Sequence, residues 1–136
     1  MSFEIGVMTF AEITKDPATG ALPSPRQRVR ETIEQAQVAD QVGLDVFGVG
    51  GVGFPLSRAA FLPQTSPSAG LLVGSPQEVI DKLLAYHEVY GLNRVIIQMG
   101  FGGMPQKEHL AAIELLGTEV APIVRRETAI REGKAS

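Results

Sequence analysis

Apolar positions along this chain recur in two rhythms, one of helices and one of buried strands. From Ser75 to Gly91 the spacing is helical: Val79, Leu83, Tyr86 and Tyr90 form a stripe that Ile80, Leu84 and His87 widen. The start is marked by Ser75-Pro76-Gln77-Glu78, where the Ser75 hydroxyl can accept from the Glu78 N–H while the Glu78 side chain reaches back to the Ser75 N–H. Pro76 suits the first helical position, where no donor is needed, and Gly91 supplies the stop. Arg94-Val95-Ile96-Ile97-Gln98-Met99 then places apolar residues consecutively, the pattern of a parallel strand covered on both faces.

The earlier half repeats these units. Phe3 to Thr9 reads as a strand, and Thr14 to Ser24 holds too many backbone breakers for regular structure. Ser24-Pro25-Arg26-Gln27 opens a second capped helix, with Val29, Ile33, Ala36, Ala39 and Val42 as its expected buried stripe and Gly43 as its stop. Leu44 to Gly48 is a short strand, completing a βαβ unit. From Gly48 to Gly74 no period survives beyond a short turn at Leu56 to Phe61, an unusually long irregular connection for a compact domain. After the last strand, Gly100 to Met104 forms a loop and Pro105 starts a third helix, with Leu110, Ile113, Leu116, Val120 and Val124 on its buried side. Gly117 and Pro122 weaken it, which predicts a break near Gly117-Thr118 with Thr118 capping a second segment. Arg125 and Arg126 suit a helix C-terminus, and Thr128 to Ser136 is expected to fray. The reading is α/β, with three parallel strands and three helices.

Composition narrows the function classes. A chain of 136 residues has room for one domain. A net charge of -3 and a pI near 5.4 leave no basic footprint for nucleic acid. Arg26, Arg28 and Arg30, beside Glu31 and Glu34, read as a solvated helix face. The absence of cysteine excludes disulfides and thiolate metal sites, and no apolar run approaches the ~20 residues of a membrane span, so a cytoplasmic protein is expected.

Several stretches could carry chemistry. Gly48-Val-Gly50-Gly-Val-Gly53 has G-x-G-x-x-G spacing after a strand, but Phe54-Pro55-Leu56 does not open the helix a dinucleotide site needs. The Ser75 helix start presents N–H groups to an anion, although capping alone accounts for Ser75, Pro76 and Glu78. The Gly100 to Gly103 loop follows the carboxyl end of a strand, where α/β folds place ligands, and reads equally as a plain turn. His87 and His109 lie on helices without a partner that spacing alone makes a relay, so each reads as a surface or half-buried histidine.

Three segments together resemble the luciferase-like flavin-dependent oxidoreductases, the group of bacterial luciferase and its coenzyme F420 relatives. They are Phe3-Glu-Ile-Gly-Val-Met-Thr-Phe with Gln37-Val-Ala-Asp40-Gln-Val-Gly43-Leu-Asp-Val-Phe47; Leu72-Val-Gly74-Ser-Pro76-Gln-Glu-Val79; and Val95-Ile-Ile-Gln-Met99-Gly-Phe-Gly-Gly103-Met-Pro, running on to Ile113-Glu-Leu-Leu-Gly-Thr118-Glu-Val-Ala-Pro122. The resemblance implies a partial (β/α)8 TIM-barrel: the first βαβ unit (1–50) and the last αβα units (75–128) of one truncated domain (1–136), joined at an irregular junction (51–74). It also implies FMN or F420 as cofactor and a monooxygenase reaction on a small organic substrate. Met8, Thr9, Ser75, Gln98, Met99, Gly100, Gly102 and Gly103 are the implied cofactor contacts. The Glu-His-His type motif that many relatives carry after the second strand is replaced here by Gly51-Val52-Gly53. Three strands cannot close a barrel, which points to a homo-oligomer. The alternative reading is a non-catalytic, self-associating remnant or subunit without cofactor.

Overall fold

In the computed structural model, which describes residues 2–50, 63, 66, 71–100 and 103–134, strand β1 (Glu4–Thr9) is the centre of the molecule. It pairs in parallel with β2 (Val46–Val49) on one side and β3 (Arg94–Gln98) on the other, giving the order β2-β1-β3. Met8 stands opposite Gly48 in β2 and Gln98 in β3, and Glu4 stands opposite Arg94. The two are also joined by a side-chain ion pair. Because strand side chains alternate, Ile5 and Val7 share a face with Phe47, Val95 and Ile97, whereas Glu4, Gly6 and Met8 share the opposite face with Val46, Gly48, Ile96 and Gln98.

Among the described residues the core is built on the first of these faces. Phe3, Ile5, Val7 and Ile97 pack with Ala39 of α1 (Pro25–Gln41), with Ile80, Leu83 and Leu84 of α2 (Pro76–Tyr90), and with Ile113 of α3 (Gln106–Leu115). Leu116 and Val120 of a π-helical turn (Leu116–Val120), and Ala121 and Val124 of α4 (Ala121–Lys134), complete it. The described helices therefore lie together on one side of the sheet. On the other side Ile96 is 47% exposed, so among the described residues β3 is covered on one face rather than both.

The capping signals form as expected, and two helix faces do not. Ser24 Oγ accepts from the Gln27 N–H, and Ser75 and Glu78 make the reciprocal capping box. On α1, however, Val29 and Ile33 are exposed, and the buried positions are Thr32, Gln35 and Ala39, with Ala36 and Val42 partly buried. The face turns by about one residue because its polar members find partners: Thr32 Oγ1 donates to the Arg28 carbonyl at 2.9 Å, and Gln35 Nε2 donates to Gln106 Oε1 at 2.6 Å. On α2 the core positions are Ile80, Leu83 and Leu84, while Tyr90 is exposed. Lys82 is buried instead, its ammonium donating to the Leu71 carbonyl at 2.6 Å.

The predicted break at Gly117-Thr118 is a π turn inside a continuous helical stretch. The Ala121 N–H reaches back to the Leu116 carbonyl, and the extra residue falls just before Pro122, which has no N–H to extend an ordinary ladder. Thr118 does not cap, since its hydroxyl donates to the Glu114 carbonyl at 2.8 Å. The end of the chain also departs from expectation. Helix α4 continues to Lys134, with Thr128 buried and bonded to the Val124 carbonyl at 2.9 Å, and Arg131 pairs with Glu88 of α2 at 3.3 Å. Arg125, expected at a helix end, lies within α4 and ties it to the amino-terminal side of the sheet: it donates to the Gly43 carbonyl at 2.8 Å and to Asp45 Oδ2 at 2.7 Å. Asp45 Oδ2 in turn accepts from the Ile5 N–H at 2.7 Å. The possible turn at Leu56 to Phe61 and most of the 51–74 junction lie outside the described residues.

Candidate functional site

Parallel strands direct their carboxyl ends and the following loops to one side of a sheet, where α/β proteins bind ligands. Here the ends of β1 and β3 are held level, the Met99 N–H donating to the Met8 carbonyl at 2.8 Å. The two loops then press together: a Cβ on Gly103, which has φ +80°, would lie 2.6 Å from the Lys15 carbonyl oxygen. Likewise Gly100, at φ +86°, leaves room for the His109 ring, whose Cε1 would stand 2.8 Å from an added Cβ. Both positions demand glycine for backbone conformation and for space. Ala11, at φ 52°, is the non-glycine residue in the left-handed region, and its N–H bonds to Thr9 Oγ1 at 3.3 Å.

Between these loops and the first turns of α1 and α3 lies a cavity of about 160 Å³. Its lining includes three carboxylates, Glu12, Asp16 and Glu31, against one guanidinium, Arg28, with Gln27 and Gln106 between them. Arg28 is not part of a solvated face. Its side chain is 13% exposed, Nη1 pairs with Glu31 at 3.3 Å, Nη2 donates to Thr9 Oγ1 at 3.4 Å, and the shielded Nε has no partner among the described residues. Behind it His109 is 2% exposed, not the surface or half-buried residue expected. Burial, with the Arg28 charge adding to it, pushes the His109 imidazole down to about 4, so it is neutral at pH 7.

The residues expected to contact a cofactor are distributed over separate places. Met8 and Gln98 stand side by side on the sheet face opposite the described helices, and Gln98 Nε2 is shielded there without a hydrogen-bond partner among the described residues. Thr9, the next residue of β1, is buried on the helix side beside Arg28. Met99 lines a second, apolar cavity with Gly74, Pro76 and Leu116. Gly100 and Gly103 shape the loop as described, and Gly102 lies outside the described residues. Ser75 borders neither group. Its N–H donates to Glu78 Oε2 at 2.7 Å and its hydroxyl contacts the same oxygen at 2.8 Å, so a carboxylate of the chain already occupies the place an anion would take. Those bonds hold the Glu78 carboxyl below its ordinary range. The spacing Gly48 to Gly53 runs out of the described residues after Gly50.

The sequence pattern puts Arg28 on a solvated face and makes His109 a surface or half-buried histidine, and neither reading brings it into a site. Arg28 sits one helical turn before Thr32 and two before Gln35, a polar series at helical spacing that marks the inward face once the exposed Val29 and Ile33 are set aside. His109 had no such signal, because its burial depends on Gly100 lying against it. No group of His, Cys, Asp or Glu side chains suited to a metal ion is found among the described residues, and no described helix is long and apolar enough to cross a membrane.

The described residues meet the needs of a flavin only in part. For the ring, Met8 offers an apolar contact and Gln98 a shielded amide donor that has no partner among the described residues. For the phosphate the described residues do not fit: Ser75 is engaged by Glu78, and the loop cavity carries an excess of negative charge. Neither a scan of protein-family models nor a search of curated proteins returns a match.

Proposed function

We propose that this chain is a flavin-dependent oxidoreductase of the luciferase-like kind, formed from the two ends of a (β/α)8 barrel, and that it acts on a small organic substrate. The observation that carries this reading is the strand order. In a closed parallel barrel the first strand pairs with both the second and the last, and β1 here lies between β2 and β3 with the described helices on one face. A doubly wound sheet with the same local order would place helices on both faces. Met8 and Gln98 would hold the ring of FMN or coenzyme F420, the Gln98 amide donating to a ring acceptor. A bound flavin supplies two-electron and oxygen chemistry that no side chain here offers, and the chain's part is to orient the ring and keep water from it. Phosphate contacts would have to come from residues outside those described or from a second copy, which could also pair with an edge of β2 or β3 that no described strand covers.

A second reading is favoured by the phosphate mismatch: a self-associating subunit without cofactor. One titration separates them. Adding FMN, and F420 in parallel, should quench cofactor fluorescence and perturb its visible absorbance, with Gln98→Leu weakening binding about tenfold for one lost hydrogen bond to a buried donor. No binding at tens of micromolar of either cofactor, together with a light-scattering mass above that of one chain, supports the subunit reading and refutes the flavin one.

A further inference from the structure

The apolar cavity at the end of β3 is separate from the sheet face and from the charged loop cavity. It measures about 130 Å³ and lies between the start of α2 and the junction of α3 with the π turn. Val79 closes it from α2, Ile97 of β3 and Met99 just after it from the sheet, and Ala112 and Leu115 of α3 with Leu116 of the π turn from the opposite side. Among the described residues that line it, no side chain carries a charge or a hydrogen-bonding group. Leu115, 45% exposed, marks the side through which a molecule could enter.

Two features keep the space from collapsing. The α2 start is fixed by the Ser75–Glu78 capping box, and Gly74, at φ +145°, packs so closely that an added Cβ would lie 2.6 Å from Glu78 Oε2. Opposite, the π turn is pinned by Gly117 against Val42, where an added Cβ would overlap Val42 Cγ2 at 2.2 Å. The capping box fixes the α2 wall, and the approach of Gly117 to Val42 fixes the π turn against the end of α1. The space is partly open to solvent; water in it would find no side-chain partner on the described lining, and apolar cavities of roughly this size take up benzene or xenon.

We propose that this cavity is a binding site for a small apolar molecule or group, of the size of a benzene ring or a short alkyl chain. The inference does not depend on flavin binding, since Met99 faces the cavity while Met8 and Gln98 occupy the other side of the sheet.

The probes are benzene and xenon, added to the full chain. Benzene at ten times its dissociation constant should raise the folding equilibrium constant about elevenfold, read as a rise in midpoint on thermal or urea unfolding. Ala112→Leu, which puts a larger side chain into the space, should abolish that rise while the far-ultraviolet circular dichroism stays unchanged. A xenon resonance in slow or intermediate exchange, broadened or shifted by the chain and relieved by competing benzene, tests the same site without any substitution. Absence of both the benzene shift and the xenon effect in the unsubstituted chain overturns the proposal, as does an equal benzene shift in a folded Ala112→Leu chain.

Discussion

Replacing Gly117 by alanine puts a single methyl group where two helices meet. An added Cβ would stand 2.2 Å from Val42 Cγ2, 2.5 Å from Val42 Cβ and 2.8 Å from the Val42 carbonyl oxygen. Two effects oppose each other. Alanine is favoured over glycine within a helix by roughly 1 kcal/mol, whereas an overpacked contact costs about 1–3 kcal/mol or more when backbone must move. The carbonyl contact decides the sign, because it cannot be relieved by a rotamer change. The expected net loss is about 2 kcal/mol, a fall in midpoint of roughly 6–8 °C for a domain of this size. Val42→Ala in the same chain removes the worst overlap but leaves Cβ and the carbonyl in place, and it sacrifices buried methyl surface, so rescue should be partial. Urea unfolding of the four chains of this double-mutant cycle measures both numbers. A Gly117→Ala chain as stable as the parent would refute the packing of the π turn on the end of α1.

His109 should make the fold sensitive to mild acid. Its folded value of about 4 lies below the ordinary 6.5, so the unfolded chain binds the extra proton first; stability is complete above pH 6.5 and declines as pH falls toward 4. Thermal midpoints measured from pH 7 to 4.5 should show this decline, and His109→Gln should flatten it; an unchanged slope would contradict the burial described. Asp45→Ala should cost about 2 kcal/mol, because it leaves the buried Ile5 N–H without its acceptor and frees Arg125. Burial raises the Asp45 carboxyl, but the bonds from Ile5 and Arg125 and the Arg125 charge outweigh it and hold it below 3.8; that contribution is therefore present above pH 3.8 and lost as pH falls through the lower folded value. Arg125→Lys, which cannot reach the Gly43 carbonyl and Asp45 with one planar group, should lose part of the same stability, and denaturant unfolding at pH 7 checks both.

What was legible in the sequence were the features with local causes. Ser24 and Ser75 announce their helices because the partners, Gln27 and Glu78, lie three residues away. The parallel sheet followed from strand and helix alternation. Misread features had distant causes. Val29 and Ile33 look like a core stripe until Gln106, far along the chain, satisfies Gln35 and draws the polar side inward. The continuation of α4 past Thr128 goes with burial of Thr128 in the core and with Arg131 meeting Glu88, and Val42 at the end of α1 sets how closely the π turn can pack at Gly117. Of the candidate site, the strand ends were found because fold topology places them, while Arg28 and His109 acquire their character only from burial.

The two margins of the sheet differ in kind, and this limits how copies could combine. A two-fold axis perpendicular to the strands joins like margins, β2 to β2 or β3 to β3, and makes those strands antiparallel; continuing the parallel direction requires the β2 margin of one copy to meet the β3 margin of the next, as around a two-fold or higher axis that runs along the strands. Such a contact ends only in a ring or a filament. Two copies bring six strands and three bring nine, so the eight of a regular barrel is not reached by repeating this sheet alone.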